Sequence, residues 1–437
     1  MTSQLHPDTL SVAIAGAGIA GLTAAIALRQ HPKINVRIYE RAQELREIGA
    51  SIALGPNGLR TLERLGVHNA LDDDVGFRGP SGSPMIYRHW QTNEIVSEDR
   101  FRNPPEHRHE TTRFYRAHLQ QALLEHVPKD IIHLSKKIVG AQASEENGVT
   151  IAFEDGTTEQ ADLLIGADGM NSAVRRAFLP SHKLSWTGAI FYRSVFDASL
   201  VEDIKDLPPD STHWWGPTNT FFSSRLGKNK YTTVAAYTLD PTTPTSQTLS
   251  SQIHWDDIQN DLTPLRALYS NWNPVVRTLL SKTPTMQIYP NFSGPPLKTC
   301  VLHSRVTLIG DAAHTHGGAF AAGGSLAIDD AYALYLSLLH IFPIDAPTKP
   351  TAVQLVYTLG LYEKTRKPHT TRVLEAARRG NVAAVERARR RVEEGDEELR
   401  ARIRGRGDSE WIHECDVARD FGRVVNGERE RGGGARL

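Results

Sequence analysis

One junction recurs along this chain and limits what it can fold into: a short apolar run that ends in a glycine-rich turn. Val12-Ala13-Ile14-Ala15 leads into Gly16-Ala17-Gly18-Ile19-Ala20-Gly21. Leu163-Leu164-Ile165 leads into Gly166-Ala167-Asp168-Gly169, and Val306 to Ile309 lead into Gly310-Asp311-Ala312-Ala313-His314. Such runs read as buried strands, and a strand–turn–helix texture predicts a parallel sheet flanked by helices. The first junction continues into an Ala- and Leu-rich helix to about Gln30 and a second strand over residues 35–39, a complete β-α-β unit.

Each junction has chemistry of its own. Gly16 permits the tight turn, Gly18 lets bare backbone approach a pyrophosphate, and Gly21 lets helix and strand pack closely. Glu40 ends the second strand, 19 residues after Gly21, where an acid accepts hydrogen bonds from adenosine ribose hydroxyls. Asp311 either accepts from ribityl hydroxyls or sits beside the pyrophosphate through water. The run from His316 to Ser325 is nearly free of bulky side chains, so the amides of Gly323 and Gly324 and the following helix N-terminus can face a flat ring and stabilise negative charge on it. Arg175 balances pyrophosphate charge, binds Asp168, or lies at the surface. His314 and His316 read as loop histidines near a cofactor, not as metal ligands. The three motifs in this order describe the binding of one large dinucleotide, FAD.

Between these junctions the texture changes. Residues 184–294 are rich in Trp, Tyr, Thr and Phe, and residues 189–196, 220–225 and 231–238 read as strands of an antiparallel sheet. The predicted fold class is α/β: a Rossmann-like FAD-binding domain with a parallel sheet, interrupted by a mainly antiparallel sheet domain, with a C-terminal helical segment. The expected boundaries are residues 1–77, 107–180 and 295–371 for the FAD domain, 78–106 and 181–294 for the sheet domain, and 372–437 for a charged helix over 386–404 with a frayed tail.

The motifs resemble those of the class A flavoprotein aromatic monooxygenases, the salicylate hydroxylase and para-hydroxybenzoate hydroxylase group, over most of residues 11–370. The wording from Gly310 to Leu334 is most similar to fungal polyketide-pathway members that dearomatise phenols. There are departures: the family usually has a proline near Gly318 and a glycine at Ala321. The resemblance implies FAD contacts by Arg116 and by backbone near Gly49 and Ala50. It implies NADPH or NADH and dioxygen as co-substrates, and hydroxylation of a small phenolic substrate through a flavin C4a-hydroperoxide, with or without dearomatisation. Two alternatives stand beside it: a salicylate hydroxylase-type decarboxylating hydroxylation, and a non-hydroxylating FAD oxidase or scaffold. A disulfide reductase would need a cysteine pair beside the flavin. Cys300 and Cys415 form no such pair, and they read as free thiols in a reducing, cytoplasmic setting.

A phenol of pKa about 10 needs a nearby cation to ionise near neutrality. Arg193, on the first strand of the sheet domain, is the expected cation, and Tyr231 and Tyr237 are the expected phenolate partners. The two tyrosines are six residues apart on one strand and so share a face. Trp214, Trp215, Phe221 and Phe222 either line an aromatic pocket or fill the sheet core. Lys+Arg 50 balances Asp+Glu 50, which argues against nucleic acid or an anionic membrane as partner. No leader, membrane span or bound metal is expected. The apolar stretch 331–342 follows Asp329 and Asp330 and contains His340, which marks it as a buried helix.

Overall fold

The computed structural model describes residues 7–45, 50–244, 246–248, 257–390 and 394–431. Its first layer is a six-stranded sheet in the order Val301–His303, Val306–Leu308, Leu163–Gly166, Leu10–Ala15, Ile34–Tyr39, Ile132–His133. All neighbours are parallel except the edge pair Val301–His303 with Val306–Leu308. Every residue of Leu10–Ala15 is buried, as expected of a strand covered on both faces. The helix Gly323–Ile341 packs against the helices Ile19–Leu28, Pro56–Arg64 and Ala352–Arg389 and forms the centre of this half. No helix among the described residues is long and apolar enough to cross a membrane.

The second layer is an eight-stranded sheet in the order Asp257–Gln259, Met286–Ser293, Ser185–Asp197, Lys230–Thr238, Asn219–Leu226, Thr212–Trp215, Ile86–His89, Ile95–Glu98. It is antiparallel except where Thr212–Trp215 runs parallel to Ile86–His89. Its strands come from two separate stretches of chain, so the parallel sheet is interrupted twice. The turn Gly227-Lys228-Asn229 joins two of them, with Lys228 and Asn229 both at positive φ, the geometry that matches a hairpin's twist.

The C-terminal part differs from expectation. The helix Ala352–Arg389 runs unbroken through position 372, where the sequence reading began a separate segment. The charged helix expected over 386–404 is split: one helix ends at Arg389 and the next spans Asp396–Arg404. The frayed end expected from residue 426 is helical to Arg431, in the helix Val417–Arg431.

Candidate active site

The two layers enclose one continuous cavity of ≈ 1480 Å³. That exceeds the roughly 300–1,000 Å³ typical of a pocket for one small ligand. Its wall on the parallel-sheet side includes Gly18, Ala50, Arg116, Asp311, Gly323 and Gly324. Gly49 lies outside the described residues.

The first glycine motif has the shape a pyrophosphate needs. A Cβ on Gly21 would stand 2.0 Å from the Gly16 carbonyl oxygen, and one on Gly16, at φ 96°, 2.7 Å from the Ala167 oxygen. Nothing lies within 4 Å of a Cβ built on Gly18, which faces open space. The helix Ile19–Leu28 begins there with no side-chain cap, so its first N–H groups are available to an anion. Glu40 braces this loop: its carboxylate accepts from the Ala17 N–H at 2.8 Å and the Ala42 N–H at 2.9 Å. Each oxygen keeps a second lone pair for another donor.

Asp168 lies behind the wall. Its Oδ2 accepts from the N–H groups of Ala173 (2.7 Å) and Val174 (3.2 Å), and its Oδ1 is buried without a hydrogen-bond partner. Arg175 neither lies at the surface nor hydrogen-bonds Asp168. It is 4% exposed and donates to the carbonyls of Met170, Asp311 and Ala312, which ties the second motif to the third. Both terminal nitrogens are committed to these carbonyls, which turns the guanidinium away from the cavity.

A buried ionic network, which sequence reasoning did not foresee, positions the third motif. Asp330 Oδ2 accepts from the Gly310 N–H (2.9 Å) and contacts His314 Nε2; Asp330 Oδ1 accepts from Arg366 Nε at 2.8 Å. Neighbouring Asp329 accepts from Asn57 (2.8 Å) and Thr61 (2.7 Å). Burial pushes the Asp330 carboxyl up, but His314 and Arg366 outweigh it and hold its pKa at about 2. The one signal in the sequence was two consecutive acids in an apolar helix, since buried acids require partners.

The opposite wall is one face of the eight-stranded sheet, and its register decides which side chains reach the cavity. Arg193 pairs with Val234, Val234 with Phe222, Phe222 with His213, and His213 with Tyr87. A second row runs Phe191, Ala236, Thr220, Trp215. All nine line the cavity. Tyr231 and Tyr237 share a face, as expected, but it is the other one, because side chains alternate along a strand. Tyr231 is 1% exposed with its hydroxyl on Ser223 at 2.9 Å, and Tyr237 stacks on Tyr192. The same alternation splits the aromatic quartet: Trp214 and Phe221 are core, whereas Trp215 and Phe222 face the cavity.

The Arg193 guanidinium lies 5.3 Å from the Phe191 ring centre and 5.2 Å from that of Tyr289. Its terminal nitrogen is 3.5 Å from where a Cβ on Gly318 would be, beside the small-residue loop. Among the described residues no carboxylate pairs with it. Burial, opposed by Tyr289 and reinforced by the charge of Arg116, lowers its pKa. Residues 401–413 and the end of the helix Ala352–Arg389 close the far side; Arg402 stacks over Trp215 and Arg406 over Tyr87, at 5.0 and 3.6 Å.

This architecture is a flavin-binding α/β fold with a reaction chamber between its layers. The family model described as "FAD binding domain" matches residues 9–377, and the chain belongs to that family. It is 29% identical to a salicylate hydroxylase of Pseudomonas putida over 83% of each chain. It is 27% identical to the 6-methylsalicylate 1-monooxygenase of Aspergillus terreus over 75% of this chain and 74% of the relative. A solved salicylate hydroxylase substrate complex superimposes with a TM-score of 0.76 at 25% identity, covering 96% of this chain and 99% of the other. The cofactor is FAD, and the open Gly18 backbone and the uncapped helix start fit it.

Proposed function

We propose that this chain is an FAD-dependent monooxygenase that consumes NAD(P)H and dioxygen to hydroxylate a phenolic aromatic substrate. The observation that carries this reading is Arg193: a cation with no carboxylate partner among the described residues, on the sheet face of the cavity, beside the loop that leads to the Gly323–Gly324 helix start. The relatives named for salicylate and 6-methylsalicylate support the same substrate class. FAD, when bound, supplies the activation of dioxygen with electrons from NAD(P)H.

The chain's own residues do the rest. Gly18 and the first turn of the helix Ile19–Leu28 hold the pyrophosphate, with Glu40 keeping the loop in shape. Asp311, Arg116 and the backbone at Ala50 hold the ribityl and ring side. The uncapped N-terminus at Gly323 and Gly324 stabilises negative charge on the ring. Arg193 keeps the phenol oxygen ionised; at an effective dielectric of 20 a charge pair about 4 Å apart is worth roughly 4 kcal/mol, about three pKa units. Phe191, Phe222 and Trp215 orient the ring and exclude water.

Arg193→Met tests this. The purified variant should keep its FAD and still oxidise NAD(P)H in the presence of phenolic ligand, but yield hydrogen peroxide in place of hydroxylated product. Normal coupling in the variant would remove Arg193 from the reaction.

A further inference from the structure

The cavity extends well past Arg193, and its far end has recognition chemistry of its own. His213 stands three strands from Arg193 in register, about 14 Å at ~4.8 Å per strand. Arg113 reaches the same end from the strand Thr112–Tyr115 of a separate sheet, its guanidinium 5.3 Å from the Phe222 ring centre. It is 7% exposed. Nε donates to Ser211 (3.2 Å) and Nη2 to the Pro84 carbonyl (2.9 Å). Nη1 makes no hydrogen bond among the described residues. The acid whose charge reaches it, Asp99, is already engaged by Arg406 and by the Tyr87 hydroxyl at 3.1 Å. Arg113 is thus a buried cation that no carboxylate pairs with among the described residues, which is costly unless a ligand completes it.

His213 supplies a directed donor. Its Nδ1 lies 3.1 Å from Trp215 Nε1, and an indole N–H can only donate. The neutral ring therefore carries its proton on Nε2. Burial and the charges of Arg113 and Arg406 hold its pKa at about 3, so it stays neutral in use.

We propose that Arg113 and His213 bind a carboxylate at the end of the substrate remote from the flavin, so that the substrate is an elongated phenolic acid. This rests on the monooxygenase reading and adds its substrate class. Arg113 lies over Phe222, two strands from Arg193, and His213 lies one strand further, which sets the phenol-to-carboxylate span at about 10–14 Å. A one-ring hydroxybenzoate is too short to reach both poles. One full positive charge and one neutral donor match a monoanion better than a phosphate dianion, since Arg406 is already neutralised by Asp99. Val234 and Phe222 line the way between the two poles, and Trp215 and Tyr87 wall the far end.

The test uses the FAD-loaded protein without NAD(P)H. Hydroxyphenyl alkanoic acids of increasing chain length and their matched primary amides are titrated, and binding is read from the perturbed absorbance of the bound flavin. The acid should bind at least tenfold tighter than its amide only once the chain spans the two poles. Arg113→Met should erase that ratio and Arg113→Lys should keep part of it; His213→Phe should reduce it. Arg193→Met should weaken acid and amide alike. An acid-to-amide ratio independent of length or of Arg113, or tightest binding by hydroxybenzoate, overturns the proposal while leaving the monooxygenase reading intact. If no phenol of either series perturbs the flavin or stimulates NAD(P)H oxidation, both fall. The wild-type series decides the matter even if the Arg113 variants do not fold.

Discussion

Replacing Asp330 by Asn should damage both stability and cofactor affinity, by amounts the geometry bounds. The side chain keeps its size, and one oxygen can still accept from the Gly310 N–H. The charge facing Arg366 Nε at 2.8 Å and His314 Nε2 is lost, and Arg366 remains 2% exposed. Removing one partner of a buried ion pair costs about 3–5 kcal/mol, because the other charge is left without compensation. That is two to nearly four decades in the unfolding constant at ~1.4 kcal/mol per decade. Since Asp330 also holds Gly310, at φ 60° and ψ −145°, ahead of Asp311, FAD affinity should fall with stability. The measurements are urea unfolding and FAD dissociation constants for Asp330→Asn, Arg366→Met and the double variant. The double variant should be more stable than Asp330→Asn alone, because it removes the stranded cation. A loss under 1 kcal/mol, or a double variant that simply sums the two singles, would refute the reasoning. The pH dependence has a definite sign. Asp330, depressed from 3.8 to about 2, contributes stability that is present above its unfolded value and lost as pH falls through 2. Burial opposes the charge on His314, but Asp330 raises its pKa overall; its contribution is full below the unfolded value and fades as pH rises through the folded one. The Asp330–His314 pair therefore stabilises most between about pH 4 and 6.5.

Two other outcomes follow from the geometry. Gly21→Ala, whose Cβ would stand 2.0 Å from a backbone oxygen, should yield colourless protein with little bound FAD, checked by the visible spectrum. Tyr231→Phe and Tyr237→Phe should leave the ratio of product to NAD(P)H consumed unchanged; Tyr231→Phe should cost about 1 kcal/mol of stability for the lost bond to Ser223, read by denaturation.

What could be read from the sequence was what is local. The three glycine turns are contiguous in the chain, so their strands, helices and cofactor chemistry were visible without a structure. The period of two placed Tyr231 and Tyr237 together, but a period cannot say which face is buried. That needed the pairing of Arg193 with Val234, 41 residues away on another strand. The same gap explains Trp215 and Phe222, whose roles differ from those of their immediate neighbours. Arg113 could not have been found at all: its partners Ser211 and Phe222 lie about a hundred residues away, on another sheet. Asp329 and Asp330 were noticed as unusual in an apolar helix, yet Asn57, Thr61 and Arg366 carry no local mark of belonging to them.

The covering of the chamber by residues 401–413 has a bearing on biosynthesis. Every strand beneath it, and every glycine turn that grips the dinucleotide, emerges from the ribosome earlier. The parts that grip the dinucleotide are thus made while the room for the second reactant still lacks its cover. A nonsense codon near position 395 would remove not only this roof but also the helix Val417–Arg431, which packs on the helices Gly323–Ile341 and Ala352–Arg389 of the half that grips the dinucleotide.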